Sequence, residues 1–158
     1  MVGIGYDIHK LAKGESLILG GIKIESEIGT VAHSDGDVLI HSIIDALLGA
    51  ASLGDIGDYF PDTSPKYKNI DSTELLLTVK EMLDKNGYSI VNIDATVVLE
   101  KPKLSDYKLT IKNNLAKILD ISEKQINIKA TTNEKLDSIG NSEAIAVFSV
   151  CQLVIVGA

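Results

Sequence analysis

Apolar and polar positions alternate with changing periods along the chain, and these changes predict its strands and helices. Residues 2–9 form a predicted short strand, and residues 16–24 a hairpin that turns at its two adjacent glycines. After a stretch rich in Gly and Asp the period becomes helical, with Asp35 or Ser34 expected as the N-cap. The apolar positions of this first helix, which extends through about Ala51, are Val38, Ile40, Ile43, Ile44, Leu47 and Leu48.

The remainder of the chain predicts two more helices and three more strands. Apolar positions at helical spacing follow Asp71, and a similar stripe begins at Leu104. Between the first and second helices, a loop of about twenty residues has a length typical of functional or mobile segments. The predicted strands cover residues 89–100, 126–132 and 143–156.

The last of these strands carries apolar side chains on both faces. One face includes Phe148 and Val150, and the other includes Val147 and Cys151. Both faces must therefore be covered. We expect one α+β domain spanning residues 1–158, in which helices cover one face of a four-stranded mixed sheet. We expect the other face to pack inward against other subunits around an axis.

The charge and composition of the chain narrow the range of partners. The net charge is −7 over 158 residues, and the lysines form no basic stripe, so no nucleic-acid partner is expected. No apolar run could span a bilayer and no targeting segment is recognisable, so no membrane partner is expected and the predicted location is cytoplasmic. The single cysteine, Cys151, rules out an internal disulfide and is expected to be an inert buried thiol.

All three histidines of the chain, His9, His33 and His41, lie near its N-terminal end. Asp7 and His9 are two residues apart, so they point to the same face of a strand, and His41 lies early in the following helix. One carboxylate and two imidazoles would bind Zn²⁺ or a similar divalent ion and leave a fourth position open for substrate. The alternative for Asp7 and His9 is a polar pair on an edge strand.

Polar residues near these histidines have both a functional and a structural interpretation. Asp37 and Asp45 lie four residues on either side of His41, where a carboxylate could orient the second imidazole nitrogen or simply form a polar outer face. His33 and Ser34 precede the helix, whose free amides favour an anion, so they could contact a phosphate. Alternatively, Ser34 only caps the helix.

A second polar cluster follows the next-to-last strand. It offers hydroxyl and amide groups and, at Glu134, a carboxylate suited to Mg²⁺. Lys103, held behind a proline, could meet a phosphate as a point charge. The cluster also fits a strand end that runs into a turn. Its polar residues before the glutamate are Thr131, Thr132 and Asn133.

Several segments, in order along the chain, match one enzyme family. They read GIGYDIH, LGGIKI, AHSDGDVLIHSIIDALLGAASLGDIGDYFPDT, EKPKL and IKATTNEKL, and they run from the first residues to near the last. On these segments the chain resembles the 2-C-methyl-D-erythritol 2,4-cyclodiphosphate synthases, lyases of the non-mevalonate isoprenoid pathway. The long middle segment, combined with the N-terminal Asp-x-His, is the most specific part of the match.

The resemblance implies a homotrimer with active sites between neighbouring subunits. The family converts 4-diphosphocytidyl-2-C-methyl-D-erythritol 2-phosphate to 2-C-methyl-D-erythritol 2,4-cyclodiphosphate and releases CMP. The 2-phosphate attacks the β-phosphate of the same molecule with the assistance of metal ions, so no covalent nucleophile is needed.

The resemblance also implies roles for individual residues. The implied metal ligands are Asp7, His9 and His41 for Zn²⁺ or a similar ion, and Glu134 for Mg²⁺ or Mn²⁺. The positions that match transition-state stabilising residues are His33 and Thr132. Besides Asp7 and His9, the residues matching the methylerythritol phosphate side of the substrate are His33, Ser34, Asp55, Ile56, Gly57, Phe60, Pro61, Asp62, Thr63 and Ser64. Those matching the cytidine diphosphate side are Leu99, Glu100, Lys101, Pro102, Lys103, Leu104, Ser105, Thr131, Thr132, Asn133 and Glu134.

Two departures from the family pattern affect this transfer of roles. Asn133 stands where the family usually has a third threonine. Asn141 stands where the family has an arginine that faces a phosphate, in a segment that lacks the usual Gly-Phe-Thr-Gly-Arg-Gly-Glu pattern. These changes weaken the assignment of Ser138 and Asn141 to the site and leave the metal triad intact.

Two other functions remain open. A zinc-dependent phosphohydrolase would use a metal-activated water and would release linear monophosphates instead of a cyclic diphosphate. A noncatalytic nucleotide-binding trimer would bind nucleotide without any turnover, and its nucleotide binding would survive the loss of His41.

Overall fold

The centre of the molecule is a mixed five-stranded sheet, and the computed structural model describes residues 1–156. The strands in chain order are β1 (Val2–Lys13), β2 (Leu17–Leu19), β3 (Ile22–Ile24), β4 (Ile28–Val31), β5 (Tyr88–Val98), β6 (Ile126–Thr131) and β7 (Ala144–Ile155). The sheet has the order β4-β1-β7-β5-β6, in which only β5 and β6 pair in parallel. The strands β2 and β3 form a separate hairpin, as the sequence predicted.

Helices pack against one face of this sheet. They are α1 (Val38–Ala50), α2 (Ile56–Tyr59), α3 (Ser72–Lys85), α4 (Lys108–Leu119) and α5 (Asp137–Gly140), and 3₁₀ turns lie at Pro65–Tyr67 and Glu123–Gln125. The helix α1 lies between β1 and β7 on one side and α3 on the other, which explains why most of its side chains are buried. Within residues 1–156, no helix combines the length and apolar character needed to cross a membrane.

Alternation along β1 determines where the candidate metal ligands lie. Residues of one face point toward α1, whereas Ile4 and Tyr6 on the other face are exposed. Gly3 and Gly5 face α1, and a Cβ atom at either position would overlap the backbone of that helix. Because these side chains are missing, α1 lies directly against β1, and Asp7 is brought beneath it.

The other face of the sheet is exposed, and its β1 and β7 part is largely apolar. The rings of Tyr6 and Phe148 are in contact, with centroids 4.8 Å apart, and Ile4 is 72% exposed. We call this surface the exposed sheet face. Its apolar residues are Val2, Ile4, Tyr6, Ile8, Phe148, Val150 and Val154. The prediction that helices cover one face of the sheet is therefore confirmed.

The α+β class and the mixed sheet are confirmed, but the predicted number of four strands is wrong. The fifth strand, β4, pairs with the far end of β1, where Lys10 lies opposite Val31 and Lys13 opposite Ile28. This strand has only four residues, which is too short for an alternating pattern to be recognised. The partner strand β1 is correspondingly longer than predicted and reaches Lys13.

The start of α1 also differs from the prediction. Its N-cap is Asp37, whose carboxylate accepts a hydrogen bond from the backbone N–H of Ile40, and neither Asp35 nor Ser34 caps the helix. The same buried carboxylate accepts hydrogen bonds from both glycines of the β2–β3 turn, at 3.0 and 2.7 Å. A single side chain therefore joins the helix start to the hairpin. The loop between α1 and α3 contains α2 and a 3₁₀ turn.

Candidate functional site

The structure brings together the three residues that the sequence suggested as metal ligands. The Oδ2 atom of Asp7 lies 3.1 Å from Nδ1 of His9 and 3.2 Å from Nδ1 of His41. One ligand atom from each residue lies within 4.8 Å of the others. The strand β1 supplies Asp7 and His9, and the first turns of α1 supply His41, so the site spans the junction of sheet and helix.

The donor set of this triad suits a divalent ion. The Nδ1 atom of His9 is buried and makes no hydrogen bond to any of residues 1–156, although it lies close to the carboxylate of Asp7. A buried polar atom without a partner is unfavourable, and a cation between the nitrogen and the carboxylate would satisfy both. Two imidazoles and one carboxylate form a common zinc donor set that leaves a fourth position open. The residues therefore fit Zn²⁺ or a similar ion.

The electrostatics of the triad favour a bound cation. Burial raises the pKa of Asp7, but the hydrogen bond to His41 and the positive charge of His41 and His9 outweigh this effect and hold the pKa below 3.8. Burial lowers the pKa of His41, but the hydrogen bond to Asp7 and the charges of Asp7, Asp37 and Asp35 raise it above 6.5. The negative field at Nδ1 of His41 thus stabilises a proton there and would equally stabilise a metal ion.

The second nitrogen of His41 contacts hydroxyl groups. Its Nε2 atom lies 2.9 Å from Oγ of Ser72 and 3.4 Å from Oγ of Ser34. Ser72 is the first residue of α3 and is fully buried, and its hydroxyl donates a hydrogen bond to Asp35. The sequence pattern gives no indication of Ser72 as a site residue, and it predicts only a capping role for Asp35. No local pattern could reveal this contact, because the two residues that it joins are 31 positions apart.

The suggestion that Asp37 or Asp45 orients His41 is wrong. The carboxylate of Asp37 caps α1 and binds the β2–β3 turn, and burial raises its pKa to about 6 despite the backbone hydrogen bonds that it accepts. The carboxylate of Asp45 accepts a hydrogen bond of 2.8 Å from the backbone N–H of Ile56. Partial burial, together with the nearby charges of Asp55 and Asp7, raises the pKa of Asp45.

A cleft of about 640 Å³ opens above the triad. The predicted residues that line it are Asp7, His9, His33, Ser34, His41, Ile56, Gly57, Phe60, Pro61, Asp62 and Thr63. Asp55 and Ser64 do not line it: Asp55 caps α2, and the carbonyl of Ser64 lies 3.3 Å from Nε2 of His33. The cleft also has apolar lining residues that were not predicted from the sequence. They are Val31, Ala32, Tyr67, Ile70 and Leu75.

A second, smaller cleft of about 190 Å³ lies at the ends of β5 and β6. Its lining contains Leu99, Glu100, Pro102, Lys103, Leu104, Ser105, Thr131 and Thr132 from the prediction, together with Lys108 and Ala130. Lys101, Asn133 and Glu134 do not line it. The turn that follows β6 is nevertheless tied to the cleft, because the carboxylate of Glu100 accepts a hydrogen bond of 3.2 Å from the N–H of Asn133.

The two clefts have no lining residue in common. The triad cleft lies at β1 and α1, whereas the second cleft lies at the ends of β5 and β6. The strand β7 separates β1 from β5 in the sheet. Glu134 lies 3.4 Å from the hydroxyl of Thr132 and outside both linings. Ser138 lies in α5 and Asn141 at its end, and neither lines either cleft.

Cys151 lies in β7 and is fully buried, as expected. Burial raises the pKa of its thiol to about 12, so the thiolate needed for nucleophilic attack is scarce near neutral pH. The cysteine is therefore a core residue.

Comparisons with known proteins place the chain in a family. A model described as the YgbB family matches residues 1–154. A 2-C-methyl-D-erythritol 2,4-cyclodiphosphate synthase of Clostridium perfringens (strain 13 / Type A) is 54% identical over 153 residues, which cover 97% of this chain and 98% of that protein. The synthase of Agathobacter rectalis is 53% identical over 96% of this chain and 86% of its own length.

Solved structures also resemble the fold closely. A bifunctional IspDF from Campylobacter jejuni has a TM-score of 0.94 and 46% identity over 98% of this chain, which covers 42% of that longer protein. The IspF of Plasmodium falciparum, solved as a CDP complex, has a TM-score of 0.87 and 37% identity, and the match covers 99% of this chain and 96% of that one.

Proposed function

The chain belongs to the YgbB family, and from that premise we propose that it is a cyclodiphosphate synthase. It converts 4-diphosphocytidyl-2-C-methyl-D-erythritol 2-phosphate to 2-C-methyl-D-erythritol 2,4-cyclodiphosphate and releases CMP. The observation that carries the proposal is the convergence of Asp7, His9 and His41 at the floor of the larger cleft, with the unpartnered Nδ1 of His9 facing Asp7. One domain, residues 1–158, holds all of these residues.

The triad would hold Zn²⁺ or a similar ion, and Glu134 would hold Mg²⁺ or Mn²⁺. When bound, these ions withdraw charge from the diphosphate, which lowers the repulsion between two anionic groups of one substrate. His33 and Ser34, at the rim of the triad cleft, bind the 2-phosphate through an imidazole and a hydroxyl. The backbone of Ile56 and Gly57, fixed by Asp45, borders the same group.

The second cleft binds the cytidine diphosphate portion. Lys103 supplies a positive charge beside the hydroxyls of Thr131 and Thr132, which suits a diphosphate. The CDP complex of the similar Plasmodium falciparum protein supports a cytidine nucleotide as the ligand. The attack is intramolecular, and holding both ends of the substrate in place removes the entropic cost of bringing them together. We assign to Thr132 and His33 the stabilisation of the charge that develops at the β-phosphate.

A homotrimer would complete the site. The two clefts share no residue, and the exposed sheet face carries apolar side chains that water disfavours. Packing three such faces around an axis would bury them and would place the second cleft of one subunit beside the triad of the next. The substrate and products are multiply charged phosphates that do not cross membranes, so we place the enzyme in the cytoplasm.

The reaction is tested by incubating the purified protein with the cytidylyl substrate, Zn²⁺ and Mg²⁺ and following the products by ³¹P NMR. We expect CMP and a cyclic diphosphate, and no product after chelation of the metals. Linear monophosphates would identify a phosphohydrolase instead. Nucleotide binding without turnover would identify a noncatalytic binder.

The same assay is run with His41→Ala, whose folding is checked by urea denaturation. We expect turnover to disappear while CDP binding, measured by calorimetry, is retained, because His41 lies outside the nucleotide cleft. Turnover by the folded variant at the rate of the unmodified protein would contradict the metal assignment.

A further inference from the structure

A chain of hydrogen bonds leads from the candidate metal ligand His41 through Ser72 to Asp35. We propose that Ser72 and Asp35 are positioning residues that fix the tautomer and orientation of His41, so that its Nδ1 atom is the metal ligand. The inference rests on the proposed metal site and assigns it a supporting pair outside the triad. Neither residue lines the substrate clefts.

The direction of each hydrogen bond follows from the chemistry of the partners. A carboxylate only accepts, so the hydroxyl proton of Ser72 goes to Asp35. The same carboxylate accepts hydrogen bonds from the backbone N–H of Ser72 at 2.8 Å and of Asp37 at 3.1 Å. Since the hydroxyl has only one proton, Oγ of Ser72 must accept the hydrogen bond of 2.9 Å from Nε2 of His41. Nε2 therefore carries the proton.

A neutral imidazole with its proton on Nε2 has a free lone pair on Nδ1. That lone pair points to Oδ2 of Asp7, 3.2 Å away, which is another acceptor. Nδ1 of His9 approaches the same oxygen at 3.1 Å. With this tautomer, Nδ1 of His41 and Oδ2 of Asp7 face each other as two acceptors without a donor between them, and a cation bound by both atoms resolves this conflict.

Both positioning residues are held firmly by the backbone. Asp35 precedes α1, and its N–H donates to the carbonyl of Ile70 at 3.1 Å. Ser72 begins α3 and is fully buried. The neighbouring residue His33 is joined to the same loop, because its carbonyl accepts a hydrogen bond from Asn69 at 2.8 Å. The C-terminal end of the loop between α1 and α3 is therefore fixed against the segment just before α1, the helix that carries the metal ligand His41.

The first test is zinc affinity, measured by competition with a chromophoric chelator. Ser72→Ala removes the nearer acceptor for Nε2, and we expect a loss of affinity of about 10- to 100-fold, the usual effect of removing such a partner. Ser72→Thr keeps the hydroxyl and should restore most of the affinity. The matched control is Ser149→Ala, which removes another fully buried hydroxyl, one that contacts Ser42 and not the triad.

A second variant keeps the test valid if Ser72→Ala does not fold. Asp35→Asn is nearly isosteric, but its amide can donate, so the hydroxyl of Ser72 is free to turn toward Nε2 and drive the imidazole proton onto Nδ1. We expect this variant to lose zinc affinity as well. Wild-type affinity in both folded variants would overturn the proposal.

The second test is the ¹H–¹⁵N spectrum of the histidine rings. We expect a slowly exchanging Nε2–H signal of His41 in the zinc-loaded wild type and in Ser72→Thr, and its loss in Ser72→Ala. The absence of this signal from the wild type would overturn the hydrogen-bond assignment. If the wild type binds no zinc, the proposed function fails, and the same signal in metal-free protein, recorded at a pH where His41 is neutral, still decides whether Ser72 fixes the tautomer.

Discussion

Gly5 in β1 lies directly against the carbonyl oxygen of Ser42 in α1, so that a Cβ atom on Gly5 would overlap this oxygen. Gly3 stands in the same relation to the carbonyl of Ala46, one turn further along the helix. These two contacts determine the distance between β1 and α1. The metal triad depends on that distance, because β1 supplies Asp7 and α1 supplies His41.

Gly5→Ala is therefore expected to destabilise the fold and to weaken zinc binding together. The added methyl meets backbone, which cannot rotate away, so α1 must move and the free energy of unfolding should fall by about 1–3 kcal/mol or more. Gly49→Ala is the matched control, since Gly49 is an exposed position of α1 with open space around it, and it should stabilise the protein by about 0.5–1 kcal/mol. Urea denaturation and chelator competition measure the two effects. Equal stability of both variants would contradict the close contact.

Ile4→Glu is expected to dissociate the proposed trimer. Ile4 lies on the exposed sheet face and is 72% exposed in one chain, so a charge there would be buried unpaired in an assembly packed through this face. Leu109→Glu is the control, because Leu109 is 66% exposed on α4, away from the sheet. Light scattering after size-exclusion chromatography should show monomers for the first variant and trimers for the second. Synthase activity should follow the trimer, because the two clefts would then come from neighbouring subunits. A trimeric, active Ile4→Glu would exclude this face as the interface.

The periodicity of the sequence predicted the long elements of the fold well, because each buries a regular stripe or face. It predicted α1, α3, α4 and the long strands, and it failed for β4, whose four residues are held only by pairing with β1. The triad was found from sequence because an Asp-x-His on a strand has a defined direction.

The residues around the triad could not be found in this way. Asp37 and Asp45 have the helical spacing that suggests contact with His41, yet their carboxylates bind backbone N–H groups of the hairpin turn and of α2. Ser72 approaches His41 from another helix. Spacing along one helix describes only neighbours on that helix, whereas these partners are set by how separate segments pack.

Asp45→Ala is expected to raise KM without weakening zinc binding. The carboxylate of Asp45 holds the N–H of Ile56, which lines the triad cleft, and its loss frees the segment proposed to border the 2-phosphate. A hydrogen bond to a charged group is worth about 1.5–3 kcal/mol, so kcat/KM should fall about tenfold or more. Asp45→Asn keeps an acceptor and should be affected much less. Steady-state kinetics and zinc competition separate the two properties. A loss of zinc affinity in the alanine variant would instead place Asp45 among the groups that hold the metal.

The buried carboxylate of Asp37 is expected to make stability depend on pH. Burial raises its pKa from 3.8 to about 6, so the folded state binds a proton more tightly than the unfolded state. The stabilisation is fully present below about pH 4 and is lost as the pH rises to about 6. At about 1.36 kcal/mol per pKa unit, the loss of unfolding free energy is on the order of 2–3 kcal/mol. The difference in unfolding free energy between wild type and Asp37→Asn, measured in urea with metal removed, should therefore decline over this range.

Asp94 provides a control of opposite sign for this pH dependence. The hydrogen bond and charge of Lys129 lower the pKa of Asp94 despite slight desolvation. The contribution of Asp94 to stability is therefore present at neutral pH and is lost only as the pH falls through values below 3.8. The difference between wild type and Asp94→Asn should consequently stay flat between pH 4 and pH 6, where the Asp37 difference declines. Parallel curves for the two variants would mean that the buried carboxylate of Asp37 titrates like an exposed one, and that its three backbone hydrogen bonds fully offset its burial.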